Sequence, residues 1–275
     1  MPTGLSERIE QHYARPDLGR LILAALAAAG KDLDHLRPQD LAPVDEFHVG
    51  GRAATLELAR AAGIDASQQV LDVGSGIGGP ARCLAQAFGC RVTGVDLTGE
   101  YCRVATLLSE RTGLAALASF VQANALELPF ADASFDVVWT EHVAMNIADK
   151  PRLYREMRRV LRPGGTLAIY DILAGPAGPP HFPVPWARTP ETSFLASPAE
   201  LRALLAQAGF RIDDWTDATP AARAWFDALA ANAREHGAPA LGIHLLFGPD
   251  FKAMGQNQRR NLEEGRLVLA QIVAR

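Results

Sequence analysis

Four glycines fall within six residues in the segment Val70-Leu71-Asp72-Val73-Gly74-Ser75-Gly76-Ile77-Gly78-Gly79-Pro80. Glycine has no Cβ, so such a turn lets the backbone approach a ligand closely, and Pro80 suits the first turn of a following helix. The positive end of that helix, near Pro80-Ala81-Arg82, would face whatever sits in the turn. Gly74-x-Gly76-x-x-Gly79 also satisfies the dinucleotide fingerprint, a weak signal by itself. Two acids narrow the chemistry. Asp72 lies two residues before the first glycine, where a carboxylate can meet a cationic ligand and would repel a pyrophosphate. Asp96 ends the next apolar run, Arg91-Val92-Thr93-Gly94-Val95-Asp96, about 20 residues after the turn, the spacing at which an acid binds ribose hydroxyls. A ribose-bearing cation fits both.

The elements that must hold these residues alternate. Strands are predicted at 69–73, 91–96, 119–122, 135–140 and 166–171, with helices at 81–88, 100–112 and 150–161 between them, a pattern that implies a parallel sheet. Ahead of them lie a helical block at 5–30, a loop-rich approach at 31–51 and a helix at 53–62 that stops at Gly63. After the fifth strand six of the 18 prolines fall between Pro176 and Pro190, which excludes helix and central strand. A loop rooted at the carboxyl end of a parallel strand stands over the ligand crevice, so Phe182 and Trp186, with His181 beside them, are expected to cover a substrate pocket. Ser197, Pro198, Glu200 and Gly209 bracket a capped helix. A strand at 210–215, helices at 220–235 and 239–264, and a final apolar run at 266–274 complete the chain.

The glycine segment resembles motif I of the class I S-adenosylmethionine-dependent methyltransferases, with Asp96 as their ribose-binding acid. Three further blocks follow in that family's order. Ala123-Asn124-Ala125-Leu126-Glu127-Leu128-Pro129-Phe130 resembles the adenine-contacting loop, Ser134-Phe135-Asp136-Val137-Val138-Trp139 the fourth strand, and Arg159-Val160-Leu161-Arg162-Pro163-Gly164-Gly165-Thr166-Leu167 the turn into the fifth. The resemblance covers roughly residues 50–215. It departs at Asn124, where the family usually carries Asp; an amide oxygen can still accept a hydrogen bond from the adenine amino group. The resemblance implies an α/β, doubly wound, Rossmann-like sheet of seven strands, mostly parallel with the seventh antiparallel. It also implies a helical cap at 1–66, a core at 67–275, a proline-rich substrate loop at 174–192 and a helical insertion at 219–264. It implies S-adenosylmethionine as cofactor, S-adenosylhomocysteine as product, and a cofactor set of Asp72, Gly74, Gly76, Gly78, Asp96, Leu97, Asn124, Ala125 and Tyr13. Tyr13 resembles an N-terminal tyrosine that some small-molecule methyltransferases fold over the methionine moiety.

Transfer from a sulfonium is an in-line displacement, so the protein must mainly align two reactants and exclude water. A base is needed where the acceptor must lose a proton. The candidates follow the fourth strand in Glu141-His142-Val143-Ala144-Met145-Asn146, a position that faces the methyl in the family fold. His142 is preferred because an unperturbed imidazole titrates near the range where general bases work; Glu141 would need burial to reach it. Met145 reads as pocket wall, and Phe47 in Glu46-Phe47-His48-Val49-Gly50-Gly51 as a substrate contact. The His-x-x-Met-Asn segment and the Gly-Gly-Pro after motif I resemble the small-molecule branch that contains glycine, sarcosine, tocopherol and sugar methyltransferases. The acceptor atom (N, O or C) is left open. Two other readings stand beside this one: a nicotinamide-dependent oxidoreductase using the same turn, and a non-catalytic protein that only binds the cofactor.

Composition excludes other classes. A net charge of −4 over 275 residues offers no basic face for nucleic acid, and no apolar run approaches a membrane span. Cys83, Cys90 and Cys102 have no paired metal-ligand spacing, so no metal is expected and the three are read as packing residues. An odd number of thiols suits a reducing compartment, and a cytoplasmic monomer or homodimer acting on a small-molecule acceptor is the expectation.

Overall fold

The computed structural model describes residues 3–13, 15–237 and 241–275. Its centre is a seven-stranded sheet in the order β3-β2-β1-β4-β5-β7-β6. The strands are β1 (Gln69–Val73), β2 (Arg91–Asp96), β3 (Ala118–Gln122), β4 (Phe135–Glu141), β5 (Leu161–Ala174), β6 (Ile212–Asp217) and β7 (Leu267–Ala274). The first five pair in parallel, while β7 runs antiparallel to both β5 and β6, as the resemblance implies.

Both faces of the sheet are covered, which is why β1 and β4 are buried along nearly their whole length rather than at alternate residues. On one face α4 (Gly51–Ala62) and α5 (Gly79–Phe88) set Leu58, Ala59, Leu84 and Ala85 against Val70, Val92, Val137 and Trp139. On the other, α7 (Lys150–Val160) and α8 (Pro198–Gln207) set Leu153, Met157, Leu201 and Leu205 against Leu71, Val138, Leu167 and Ile169. Each buried Val, Leu, Ile or Met side chain among these contributes about 1.5–3 kcal/mol through removal from water. The Ser197–Glu200 capping box starts α8 as the sequence predicts.

A third cluster joins α1 (Thr3–Tyr13), α2 (Leu18–Ala28) and α3 (Pro38–Asp45) to α6 (Gly99–Arg111), α10 (His244–Phe247) and α11 (Phe251–Glu263). It lies near the carboxyl ends of β1 and β2, because Tyr101 of α6 and Ile77 of the glycine turn belong to it. The chain crosses from β1 to β2 and β3 on one side and continues through β4 on the other. The ligand crevice therefore opens between the ends of β1 and β4.

Several expectations are corrected. The block at 5–30 is two helices, interrupted around Pro16, with Asp17 at φ 62 before α2. The loop-rich approach at 31–51 contains α3, which starts at Pro38, a position that suits proline, and tolerates Pro43 within it. The start of the helix expected at 239–264 lies outside the described residues, and its remainder is α10, a short 3-10 turn and α11. Strand six sits two residues later than expected, and β5 is longer at both ends. The helix at 220–235 is α9 (Thr219–His236).

Candidate active site

The glycine turn uses a backbone that only glycine adopts freely: Gly74, Gly76 and Gly78 have φ of 78, 53 and 82. A Cβ on Gly74 would lie 2.3 Å from Cγ2 of Val143, so the turn packs directly on the segment after β4. The turn is bound to the end of β2, where Asp96 accepts hydrogen bonds from the Gly76 amide at 2.9 Å and the Thr98 amide at 2.8 Å. Each carboxylate oxygen keeps a second lone pair for a ligand hydroxyl.

Above the turn lies a cavity with about 1230 Å³ of empty space, including solvent at its mouth. Of the expected cofactor set, Gly74, Gly76, Asp96, Leu97, Asn124, Ala125 and Tyr13 line it. Asp72 and Gly78 do not. Asp72 is buried in β1 with Oδ2 unpartnered, burial pushes its carboxyl well above the usual range, and it does not reach the cavity. Gly78 caps α5 and faces the Phe120 ring, which its Cβ would meet at 2.5 Å. Asn124 uses Oδ1 to accept from the Leu126 amide at 2.9 Å, holding the loop after β3 in shape. Tyr13 donates its hydroxyl to Asn146 Oδ1 at 2.8 Å.

Glu141 and His142 both line the cavity, as do Met145, Phe47 and Trp186. His181 and Phe182 do not. His181 pairs with Glu264 at 2.8 Å, and Phe182 packs on the sheet-face cluster, so only the later half of the proline-rich loop, Pro185 and Trp186, reaches the cavity. The Trp186 indole donates to Ser193 Oγ at 2.9 Å. Asn146 ties three segments together: besides Tyr13 of α1, its Nδ2 donates to the carbonyls of Trp186 at 2.8 Å and Thr192 at 2.9 Å.

His142 has φ 54, a left-handed conformation costing about 1–2 kcal/mol for a residue with a Cβ. Its amide donates to the Tyr170 carbonyl at 2.8 Å, and its ring meets the Tyr170 ring edge-on at 4.7 Å. Both imidazole nitrogens are buried without a partner, and burial holds the group well below its ordinary pKa. Glu141 takes the opposite shift. Burial pushes its carboxyl up to about 8, against hydrogen bonding from the Trp139 side chain and from the Thr55 hydroxyl, which lies 3.1 Å from Oε2 and 3.4 Å from Oε1. Beneath the segment, Lys150 donates to the carbonyls of Ala144 at 2.6 Å and Ile147 at 2.8 Å. Burial lowers this ammonium to about 8, and the nearby Asp171 is raised to about 6.

Sequence reasoning passed over several lining residues. Tyr101 and Ser75 line the cavity with buried, unpartnered hydroxyls, and Asp45 lines it while pairing with the fully buried Arg82 at 2.7 Å. Phe247 and Gln258 come from α10 and α11, far away in sequence. Local motifs announce none of these. Among the described residues no group of three or more His, Cys, Asp or Glu could hold a metal ion, and no helix is long and apolar enough to cross a membrane.

The fit to a ribose-bearing cation is chemical. Among the described residues Asp45, Asp96 and Glu141 line the cavity and no Lys or Arg does, and unpartnered polar atoms of Ser75, Tyr101 and His142 surround it. Buried polar atoms without partners are uncommon in a finished structure, and here a polar ligand would pair them.

Comparison with known proteins gives the same answer. A family model described as a methyltransferase domain matches residues 71–169. The methyltransferase GfsG of Streptomyces halstedii is 39% identical over 134 residues, 49% of this chain and 48% of that protein. The O-methyltransferase rstn1 of Aspergillus nomiae is 34% identical over 176 residues, 63% of this chain and 77% of that protein. Among solved structures the [4+2]-cyclase SpnF superimposes with a TM-score of 0.70 at 25% identity, covering 98% of this chain and 96% of that one. The chain spans half or less of the length of several curated relatives, GfsG included. With motif I, the ribose acid, the sheet order and a relative matched over most of its length, the chain belongs to the class I S-adenosylmethionine-dependent methyltransferases.

Proposed function

We propose that this chain transfers the methyl group of S-adenosylmethionine to a hydroxyl oxygen of a small, uncharged, mostly apolar acceptor, and that Glu141 takes the hydroxyl proton. The observation that carries the reading is the juxtaposition, in one cavity, of the Asp96 ribose position with a buried carboxylate and an unpartnered imidazole. Bound there, the cofactor supplies a methyl carbon made electrophilic by its sulfonium.

The residues divide the remaining work. Asp96 and the Gly74–Gly76 turn hold the ribose side, and Asn124 and Ala125 border the base. The sequence favours His142 as the base; burial assigns the proton to Glu141 instead. An imidazole held well below its ordinary pKa is a weak proton acceptor, whereas a carboxyl near 8 is matched to a base working around neutrality. His142 then offers its free nitrogens to the polar atom of the acceptor, and Met145, Ile172, Pro185, Trp186 and Phe247 supply apolar wall. Among the described residues no Lys or Arg lines the cavity, which disfavours phosphorylated or carboxylate acceptors. Residues 1–66, the loop at 174–192 and the insertion at 219–264 act as a cap, a role supported by Tyr13, Trp186 and Phe247 reaching the cavity from those three segments. The three buried free thiols fit a reducing, cytoplasmic setting.

A hydroxyl acceptor agrees with the O-methyltransferase relative, and a base agrees with an acceptor that must lose a proton. A second reading, that the chain binds the cofactor without transferring its methyl, draws on the likeness to the [4+2]-cyclase. Calorimetry with S-adenosylhomocysteine and NAD, followed by transfer of a labelled methyl to neutral phenols and alcohols and to their phosphate esters, tests both. Binding of S-adenosylhomocysteine with labelling of the neutral acceptors is expected. Saturable NAD binding without S-adenosylhomocysteine binding would return the glycine turn to a nicotinamide site, and cofactor binding without labelling of any acceptor would favour the second reading.

A further inference from the structure

We infer that Thr55 and His48 are positioning residues that force a hydroxyl hydrogen onto Glu141 and so set both the direction and the proton affinity of that carboxyl. The inference rests on the assignment of Glu141 as base. It is carried by a chain of hydrogen bonds whose polarity has one solution. His48 Nε2 lies 2.9 Å from the Gly51 carbonyl oxygen and 3.0 Å from Thr55 Oγ1. A carbonyl can only accept, so Nε2 must carry the hydrogen. Burial of His48 lowers its pKa, which keeps the ring neutral and makes this the Nε2–H tautomer. A nitrogen that bears hydrogen cannot accept from Thr55, so the single hydroxyl hydrogen of Thr55 has no acceptor there. It turns to Glu141, whose Oε2 is 3.1 Å and Oε1 3.4 Å away.

The arrangement is buried throughout: Thr55 is 0% exposed and His48 2%. Thr55 is on α4 and His48 precedes that helix, so the helix that covers the sheet also aims the base. A donor that meets the ionised carboxylate opposes the effect of burial, which by itself would leave Glu141 protonated well beyond neutrality. The other titratable groups around Glu141 are Glu46 and His48 ahead of α4, Asp72 on β1, Cys83 on α5, His142 beside it and Tyr170 on β5. Glu46 and Asp72 raise its proton affinity when ionised, and none of the six places a hydrogen on its oxygens; the Trp139 indole, two residues back on β4, is the other donor that lowers it, so Thr55 acts beside a fixed partner.

The test reads the carboxyl directly. The infrared band of a protonated carboxyl, taken as the difference between the full-length protein and its Glu141→Gln variant without ligand, is followed against pH. Thr55→Val keeps the shape and removes the donor, so the midpoint should rise by about one to two pH units, the worth of one hydrogen bond to a charged group. Thr55→Ser, which keeps the donor, should return it to the starting value. His48→Phe frees the hydroxyl to turn to Gly51, so it should raise the midpoint in the parent and leave it unmoved in the Thr55→Val background. The acid limb of kcat/KM should follow the same order. A midpoint unmoved by Thr55→Val, an equal shift in Thr55→Ser, or an undiminished His48→Phe effect in the Val background overturns the inference. Full turnover in Glu141→Gln would instead remove Glu141 as base, and the titration would still decide whether Thr55 tunes it.

Discussion

Glu141→Gln should make the ligand-free protein more stable at neutral and alkaline pH while removing turnover. In the folded chain burial raises this carboxyl from 4.5 to about 8. The sign follows from proton counts. Between those two values the unfolded chain has released the proton and the folded chain still holds it, so stability falls as pH rises through that window and levels off above it. At about 1.36 kcal/mol per unit, the whole shift corresponds to about 5 kcal/mol, of which about 3 kcal/mol is already lost at pH 7. Glutamine cannot ionise and can still accept from Thr55, so the variant escapes this cost. For a chain of this size about 1 kcal/mol moves Tm by about 2 °C, so the variant should melt about 6 °C higher at pH 7 and close to the parent at pH 5. Thermal melts of both proteins across pH 5–9 provide the assay. Parallel curves, with a gap that does not grow with pH, would show that Glu141 is ionised in the folded chain and would refute the burial argument.

Three other outcomes are expected. Asn146→Ala removes the acceptor of Tyr13 and the donor to Trp186 and Thr192, so α1 and the loop should loosen. At about 1 kcal/mol per lost bond the three correspond to about 3 kcal/mol, so S-adenosylhomocysteine should leave up to about 100-fold faster, and protease should cleave near α1 sooner. Lys150→Met leaves two carbonyls and Asp171 without their cation, which should cost about 2–4 kcal/mol in denaturant unfolding and lower kcat more than it raises KM for the cofactor. Asp96→Ala should weaken S-adenosylhomocysteine about 10–100-fold by calorimetry, from the loss of charge-assisted bonds to hydroxyls, with far-ultraviolet circular dichroism unchanged.

Much of the proposed cofactor half was legible because its residues lie in contiguous backbone. The glycine turn, Asp96 and the Asn124–Ala125 loop each belong to a strand end, and strand ends converge by topology alone. The acceptor half was less so. His48, Thr55 and Glu141 meet only because α4 packs on the sheet beside β4 and β5, and nothing in their spacing announces it. Arg82 looked like part of a helix start; its pairing with Asp45 at the end of α3 depends on a helix in a stretch that reads as loop-rich. The proline-rich loop was expected over the crevice, and its Pro185 and Trp186 line the cavity. Which of its aromatics faces inward depends on tertiary packing: Trp186 lines the cavity and Phe182 turns to the sheet-face cluster.

The most direct test is a crystal structure of the protein with S-adenosylhomocysteine. The account predicts the ribose hydroxyls on Asp96 and the adenine beside Asn124 and Ala125. The sulfur should face the space bounded by Glu141 and His142. A ligand seated with its ribose away from Asp96, or with its sulfur turned away from Glu141 and His142, would contradict the assignment of this cavity as the methyl-transfer site.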